Sequence, residues 1–227
     1  MAGNQKKVSV QSRKKAVKKS RSKGFVIGVT IGGGIVLSLI VVLTMLWINN
    51  NKKETLPVFD HNPIVEIDIK DYGVITLELD GKQAPITVTN FIKLANEGFY
   101  DGLTFHRIIS GFMMQGGDPQ GTGMGGSDTE IKGEFISNGV NNTISHVRGT
   151  ISMARSSGSK DSASSQFFIM HQNGTSLDGD YAAFGHVLSG MEIVDAICAD
   201  SLQNVTDNNG TIPFASQPII NSIRIIE

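Results

Sequence analysis

From residue 64 onward, apolar and polar side chains alternate along "IVEIDIKDYGVITLELD", on both sides of Tyr72-Gly73. A period of two places one set of side chains on each face of a sheet, so the segment predicts two antiparallel strands joined by a tight turn. The period then changes. In "APITVTNFIKLANEGFY" the apolar residues Val88, Phe91, Ile92 and Ala95 recur at helical spacing, and Gly98 stands where a helix is terminated. Short apolar runs at 104–109, 112–115, 148–153, 166–170, 184–188 and 218–226 predict further strands, separated by Gly, Asn, Asp and Ser clusters. A second helix is predicted around 190–199. Many short strands with two helices suggest a closed barrel.

The front of the chain has a different pattern. Residues 25–48, "FVIGVTIGGGIVLSLIVVLTMLWI", contain no charge. They are long enough to cross a hydrocarbon core of about 30 Å as a helix. Trp47 stands at the boundary and "NNNKKE" follows, without the small-x-small site of a cleaved signal peptide or the cysteine of a lipid anchor. The expected organisation is a basic cytoplasmic segment (1–23), a transmembrane helix (24–48), a linker (49–62) and a folded domain (63–227).

Charge sharpens that division. The first 53 residues hold eleven Lys and Arg and no acid, nine of them before the span and two after it. Cytoplasmic flanks are the positive ones, so the expected topology is single-pass, with the N-terminus inside and the domain outside the cell membrane. From Glu54 onward nine basic residues face twenty-one acidic ones, a balance of −12. That balance argues against a nucleic-acid partner for the domain. Cys198 is the only cysteine, which excludes an intramolecular disulfide and a cysteine-based zinc site. It lies in "MEIVDAICAD" among Ile193, Val194 and Ile197 at helical spacing and reads as a packing thiol.

Candidate chemistry concentrates in "FHRIISGFMMQGGDPQGTGMGG", residues 105–126. Closely spaced glycines suit an anion cradle, but the Lys-Ser/Thr ending of a phosphate loop is missing. His106 beside Arg107 has no Ser, Cys or acidic partner at a spacing that assigns an acid–base role. "SSGSKDSASS" and His171 contain the residue types of a hydrolytic triad, but nothing in the sequence orients them.

This stretch, followed in order by "GTISMAR", "SASSQFFIM" and "LDGDYAAFGHV", resembles the signature segments of the cyclophilin family, over about residues 63–227. The resemblance implies a mainly β fold, a closed eight-stranded antiparallel β-barrel capped by two α-helices, here preceded by the transmembrane helix. It implies peptidyl-prolyl cis-trans isomerase activity on proline-containing polypeptides, with no metal and no cofactor. Arg107 matches the family's catalytic arginine. Phe112, Met113, Phe168 and Leu177 match positions lining the proline pocket; Gln115, Ala154, Arg155 and Gln166 match those that bind the substrate backbone along the groove. Ser176 and Tyr181 stand where the best-known eukaryotic members have a tryptophan and a histidine, so Tyr181 is expected to cap the pocket and cyclosporin to bind weakly. The function expected is that of a foldase for proteins outside the cytoplasmic membrane. The rival reading is a membrane-tethered, non-catalytic module that binds proline-containing segments.

Overall fold

A computed structural model describes residues 41, 42, 44 and 58–227. The chain divides into two compact units, 1–54 and 55–227. Of the first, Val41, Val42 and Thr44 are described, and all three are helical. The expected basic segment, the expected membrane helix apart from those three residues, and most of the linker lie outside the described residues. Among the described residues no helix is long and apolar enough to cross a membrane.

The second unit opens with the predicted hairpin, β1 (Ile64–Ile69) and β2 (Gly73–Leu79), closed by a turn in which Asp71 takes φ +67°. Val65, Ile67 and Ile69 point into the core from β1, and Ile75, Leu77 and Leu79 from β2. Helix α1 (Pro85–Asn96) follows, with proline in its first turn, where no N–H is missed. Its cap comes from far along the chain: the buried Glu134 carboxylate accepts the N–H groups of Ile86 (3.0 Å) and Thr87 (2.7 Å) and the Thr87 hydroxyl (2.7 Å). A carboxylate there satisfies orphan donors and complements the helix dipole. Val88, Phe91 and Ala95 are buried as the spacing predicts, with Leu94; Ile92 is only partly covered.

Six more strands complete the sheet: β3 (Thr104–Ile109), β4 (Met113–Asp118), β5 (Thr150–Met153), β6 (Phe167–Met170), β7 (Ala183–Ser189) and β8 (Ile220–Ile225). Helix α2 (Met191–Ser201) joins β7 to the segment before β8. Every pairing is antiparallel, in the order β3-β4-β6-β5-β7-β2-β1-β8. The sheet curls strongly, but the full closure expected for a barrel is replaced by a local one. No ladder joins β3 to β8; the two edges meet at an isolated bridge between Thr104 and Ile219, with Phe105 N–H donating to Pro218 O and Ile220 N–H to Leu103 O. Gln217 fastens this seam, accepting from the Thr104 hydroxyl and donating to the Gly121 and Ile212 carbonyls.

Inside the curl, Phe91, Tyr100, Phe105, Phe167 and Phe184 make edge-on and tilted ring contacts at 5.1–5.9 Å. The tyrosine hydroxyl reaches Ser165 O. A second, smaller apolar cluster forms apart from this core, with Met113, Phe168 and Met170 at its centre. Cys198 is buried on α2, its thiol pushed up to about 12 by burial, as a packing thiol should be.

Candidate active site

Strand register builds the site. Arg107 on β3 sits opposite Gln115 on β4, Gln115 opposite Phe168 on β6, and Phe168 opposite Ser152 on β5. Directly opposed residues share a face, so these four form one row across four strands. Their neighbours Met114, Phe167 and Ile169 belong to the main core. The alternation that fills the core therefore also sets out the site, on the opposite face of the same strands.

Arg107, Phe112, Met113, Gln115, Ala154, Arg155, Phe168, Leu177 and Tyr181 line one cavity of about 210 Å³. Nine of the ten residues singled out in the sequence thus meet around one space. The tenth, Gln166, lines an adjoining cavity of about 520 Å³ that shares Gln115, Ala154 and Arg155 with the first. The smaller cavity has an apolar base of Phe112, Met113, Phe168 and Leu177 and a rim that carries guanidinium groups. Phe168 meets Tyr181 edge to face at 6.0 Å, and the Arg155 guanidinium lies 4.8 Å over the Tyr181 ring. Arg155 is held there by bonds from Nε to Asp180 O and from Nη1 to Ser156 O.

Arg107 is half-buried and forms no salt bridge among the described residues. Its Nε donates to the Asn209 carbonyl (2.8 Å) and its Nη1 to Gln115 Oε1 (3.2 Å). Burial draws its pKa below the usual guanidinium value, with Tyr181 and Asp207 acting against the shift, and an arginine remains charged throughout. Gln115 passes the restraint on, donating from Nε2 to Gln166 Oε1 (2.8 Å); Gln166 Nε2 in turn donates to the carbonyls of Gly123 (3.0 Å) and Gly125 (2.7 Å).

Those last bonds show what the glycine string does. The loop after β4 wraps around the buried Asp118, whose carboxylate collects the N–H groups of Gln120, Thr122 and Gly123. Burial alone would raise the Asp118 pKa, but the backbone bonds outweigh it and hold the carboxyl below its usual value. With N–H groups turned inward to Asp118 and carbonyls outward to Gln166, the loop is not an anion cradle. Gly117 needs its positive φ of +83°, and a Cβ there would lie 2.6 Å from Ser165 O.

Three histidines behave differently from one another. His106 is buried and neither ring nitrogen has a hydrogen-bond partner; burial lowers its pKa, with Asp118 opposing and Arg107 assisting. His171 turns away from the serine-rich loop: its Nδ1 accepts the Gly111 N–H and its Nε2 lies 3.1 Å from Asp195. No triad forms with it. His146, which sequence reasoning passed over, joins Asp178 (Nδ1 to Oδ1, 2.9 Å) to Ser152 (Nε2 to Oγ, 3.0 Å) and stacks on Phe168 at 5.9 Å. Ser152 is fully buried, so this chain braces the apolar wall and offers no nucleophile to a ligand. No sequence signal marked His146, because its partners lie on different segments. Among the described residues no group of three His, Cys, Asp or Glu is placed to hold a metal ion.

Comparison with known proteins agrees with this geometry. Residues 64–225 match the family model described as cyclophilin type peptidyl-prolyl cis-trans isomerase/CLD. Peptidyl-prolyl cis-trans isomerase B of Bacillus subtilis is 51% identical over 124 residues, which cover 55% of this chain and 82% of that protein. Peptidyl-prolyl cis-trans isomerase A of Dickeya dadantii is 42% identical over 168 residues, covering 68% of this chain and 80% of that protein. A crystal structure of a Cryptosporidium parvum cyclophilin type isomerase, obtained in the presence of the dipeptide Ala-Pro, superposes with a TM-score of 0.61 at 32% identity, covering 72% of this chain and 99% of that one.

Proposed function

The chain belongs to the cyclophilin-type peptidyl-prolyl cis-trans isomerases, and we propose that Arg107 is its catalytic residue and that it works on polypeptides outside the cytoplasmic membrane. The reaction breaks no bond. Amide resonance sets a rotational barrier of about 18–20 kcal/mol, and a catalyst has to weaken that resonance while holding the proline still. The carrying observation is a charged guanidinium, without a carboxylate partner among the described residues, on the wall of a cavity of about 210 Å³ with an apolar base.

A proline ring buried against Phe112, Met113, Phe168 and Leu177 costs no polar group its water. Arg107 then donates toward the prolyl nitrogen and favours the pyramidal form, whose lone pair has left the conjugated system. Such a charge is worth more in a site partly cleared of water than in bulk solvent. Gln115 and Arg155 hold the backbone on either side, which keeps the substrate in register with the guanidinium. A membrane tether in residues 24–48, with the basic flank inside, supports an outward address for the domain. Clients would then be chains folding at the outer surface.

The test is a proline-isomerisation assay on the purified chain and its Arg107→Ala variant. We expect kcat/KM to fall at least tenfold, about 1.4 kcal/mol, with the circular dichroism spectrum unchanged. A folded variant of undiminished activity would show that Arg107 is not the catalytic residue, whereas an unaltered chain without activity would leave a binding module as the better reading.

A further inference from the structure

The chain contains three Asn-Gly steps, at 138–139, 173–174 and 209–210. This dipeptide is the one most prone to lose ammonia spontaneously, because glycine has no Cβ to obstruct attack of its amide nitrogen on the preceding side chain. The fold treats the three steps differently. Asn138 Nδ2 donates to Gly133 O (2.8 Å) and Asp161 Oδ1 (2.7 Å), and Asn173 Oδ1 accepts the Arg148 N–H (2.9 Å). The Asn209 side chain is exposed and makes no hydrogen bond among the described residues. Only its backbone is held, through N–H to Asp207 Oδ1 and through its carbonyl to Arg107 Nε. The bond that restrains the attacking nitrogen, Gly210 N–H to Asp207 O, is long at 3.2 Å.

We propose that Asn209-Gly210 is a site of spontaneous isoaspartate formation, and that the product captures Arg107 and lowers isomerase activity. The proposal rests on Arg107 being catalytic. In the first step the Gly210 nitrogen, buried until the loop opens and a solvent base takes its proton, bonds to Asn209 Cγ. The Cγ–Nδ2 bond breaks, ammonia leaves, and a cyclic succinimide remains. Water then opens the ring on one of two sides. Addition at Cγ gives an aspartyl residue with the original backbone. Addition at the main-chain carbonyl carbon breaks its bond to the Gly210 nitrogen and gives an isoaspartyl residue, with the chain rerouted through Cβ and Cγ.

The consequence lies in which oxygen Arg107 holds. Its Nε donates to the Asn209 main-chain carbonyl, the group that becomes a free carboxylate in the isoaspartyl product. A neutral acceptor that now orients the guanidinium would become an anion bound to it. An arginine engaged in such a pair is less available to a prolyl nitrogen. The rerouting also adds a methylene to the loop that bridges to β3 between Thr211 and Arg107.

The experiment incubates the purified chain in warm, mildly alkaline buffer, maps isoaspartate by proteolysis and mass spectrometry, and assays kcat/KM in parallel. Isoaspartate should appear at 209 ahead of 138 and 173, with kcat/KM falling in proportion to the isoaspartyl fraction. Asn209→Gln closes the corresponding larger ring far more slowly and should hold its own starting activity throughout. Conversion at 209 no faster than at the other two steps overturns the proposal. So does full activity in converted protein, or an equal decline in Asn209→Gln. If Arg107→Ala is fully active while 209 converts, the catalytic reading has failed and the modification site stands. If Arg107→Ala is impaired and 209 does not convert, only the present inference is lost.

Discussion

Gln115 Nε2 donates to Gln166 Oε1 across 2.8 Å, and this one bond couples the orientation of Arg107 to the glycine loop after β4. Gln115 lies on β4 and Gln166 immediately before β6, and each is bonded again on its far side, so neither amide is free to turn. A side-chain amide spending both ends in this way fixes direction as well as distance. The Arg107 guanidinium is therefore aimed by a relay that ends on two backbone carbonyls.

Gln166→Leu tests the relay. It removes the acceptor of Gln115 and leaves that amide without its partner, a loss of about 1–3 kcal/mol for a partly buried donor. We expect kcat/KM to fall about tenfold, with the change carried by kcat because the apolar base of the pocket is untouched. Steady-state kinetics with a proline-containing peptide decides it; a change confined to KM would contradict the aiming role.

Ser176 lies exposed on the short helical turn Thr175–Leu177, next in the chain to the Leu177 that lines the pocket. A serine there offers neither a large flat face nor an indole N–H, so cyclosporin should bind weakly. Ser176→Trp should tighten it, by roughly 0.5–1.5 kcal/mol on the scale of aromatic contacts. Calorimetric titration of both proteins is the measurement, and tight binding by the unaltered chain would refute the expectation.

The buried histidines predict a pH dependence. His106 and His146 both have pKa values lowered by burial, opposed by Asp118 and by Asp178 respectively. In the unfolded chain each takes up its proton near the ordinary value of about 6.5, while in the folded chain each stays neutral to lower pH. Below that point the unfolded state binds more protons, so stability falls as pH is lowered through this window and recovers as it is raised. Melting temperature should decline from about pH 7 toward pH 5, above the range where the carboxylates titrate. His106→Phe removes one titrating group and should flatten the slope; an identical slope would show that His106 is not a contributor.

Orientation in the membrane is open to a direct test. Nine basic residues before residues 25–48 and two after them should retain the N-terminus inside. Protease added to intact cells or sealed spheroplasts should then digest residues 63–227, while protection until lysis would place the domain in the cytoplasm. A mature chain beginning after Trp47 would remove the tether from the account.

Much of this was legible before any coordinates. Alternation in residues 64–79 specified the β1–β2 hairpin and its buried face, because a strand's side chains change sides at every residue. Spacing alone reads Met113 and Phe168 as core, and only the family resemblance assigns them to a pocket; in the structure they form a second apolar cluster on the face away from the main core. Ordered motifs named ten residues, and nine of them line one cavity. Strand ends were less certain: β4 runs to Asp118, past the predicted 115, because Gly116 and Gly117 carry no side chain to mark the period.

Contacts between distant segments were decided by tertiary structure alone. Arg107 and the Asn209 carbonyl are 102 residues apart, and they meet because the strand edges come together at Thr104 and Ile219. Glu134 finds the start of α1 across 47 residues, and His146 finds Asp178 across 32. A periodic pattern records which face a residue presents, since that is a property of the local backbone. Which partner a buried donor meets depends on how the sheet curls, and that follows from burying all its apolar faces at once.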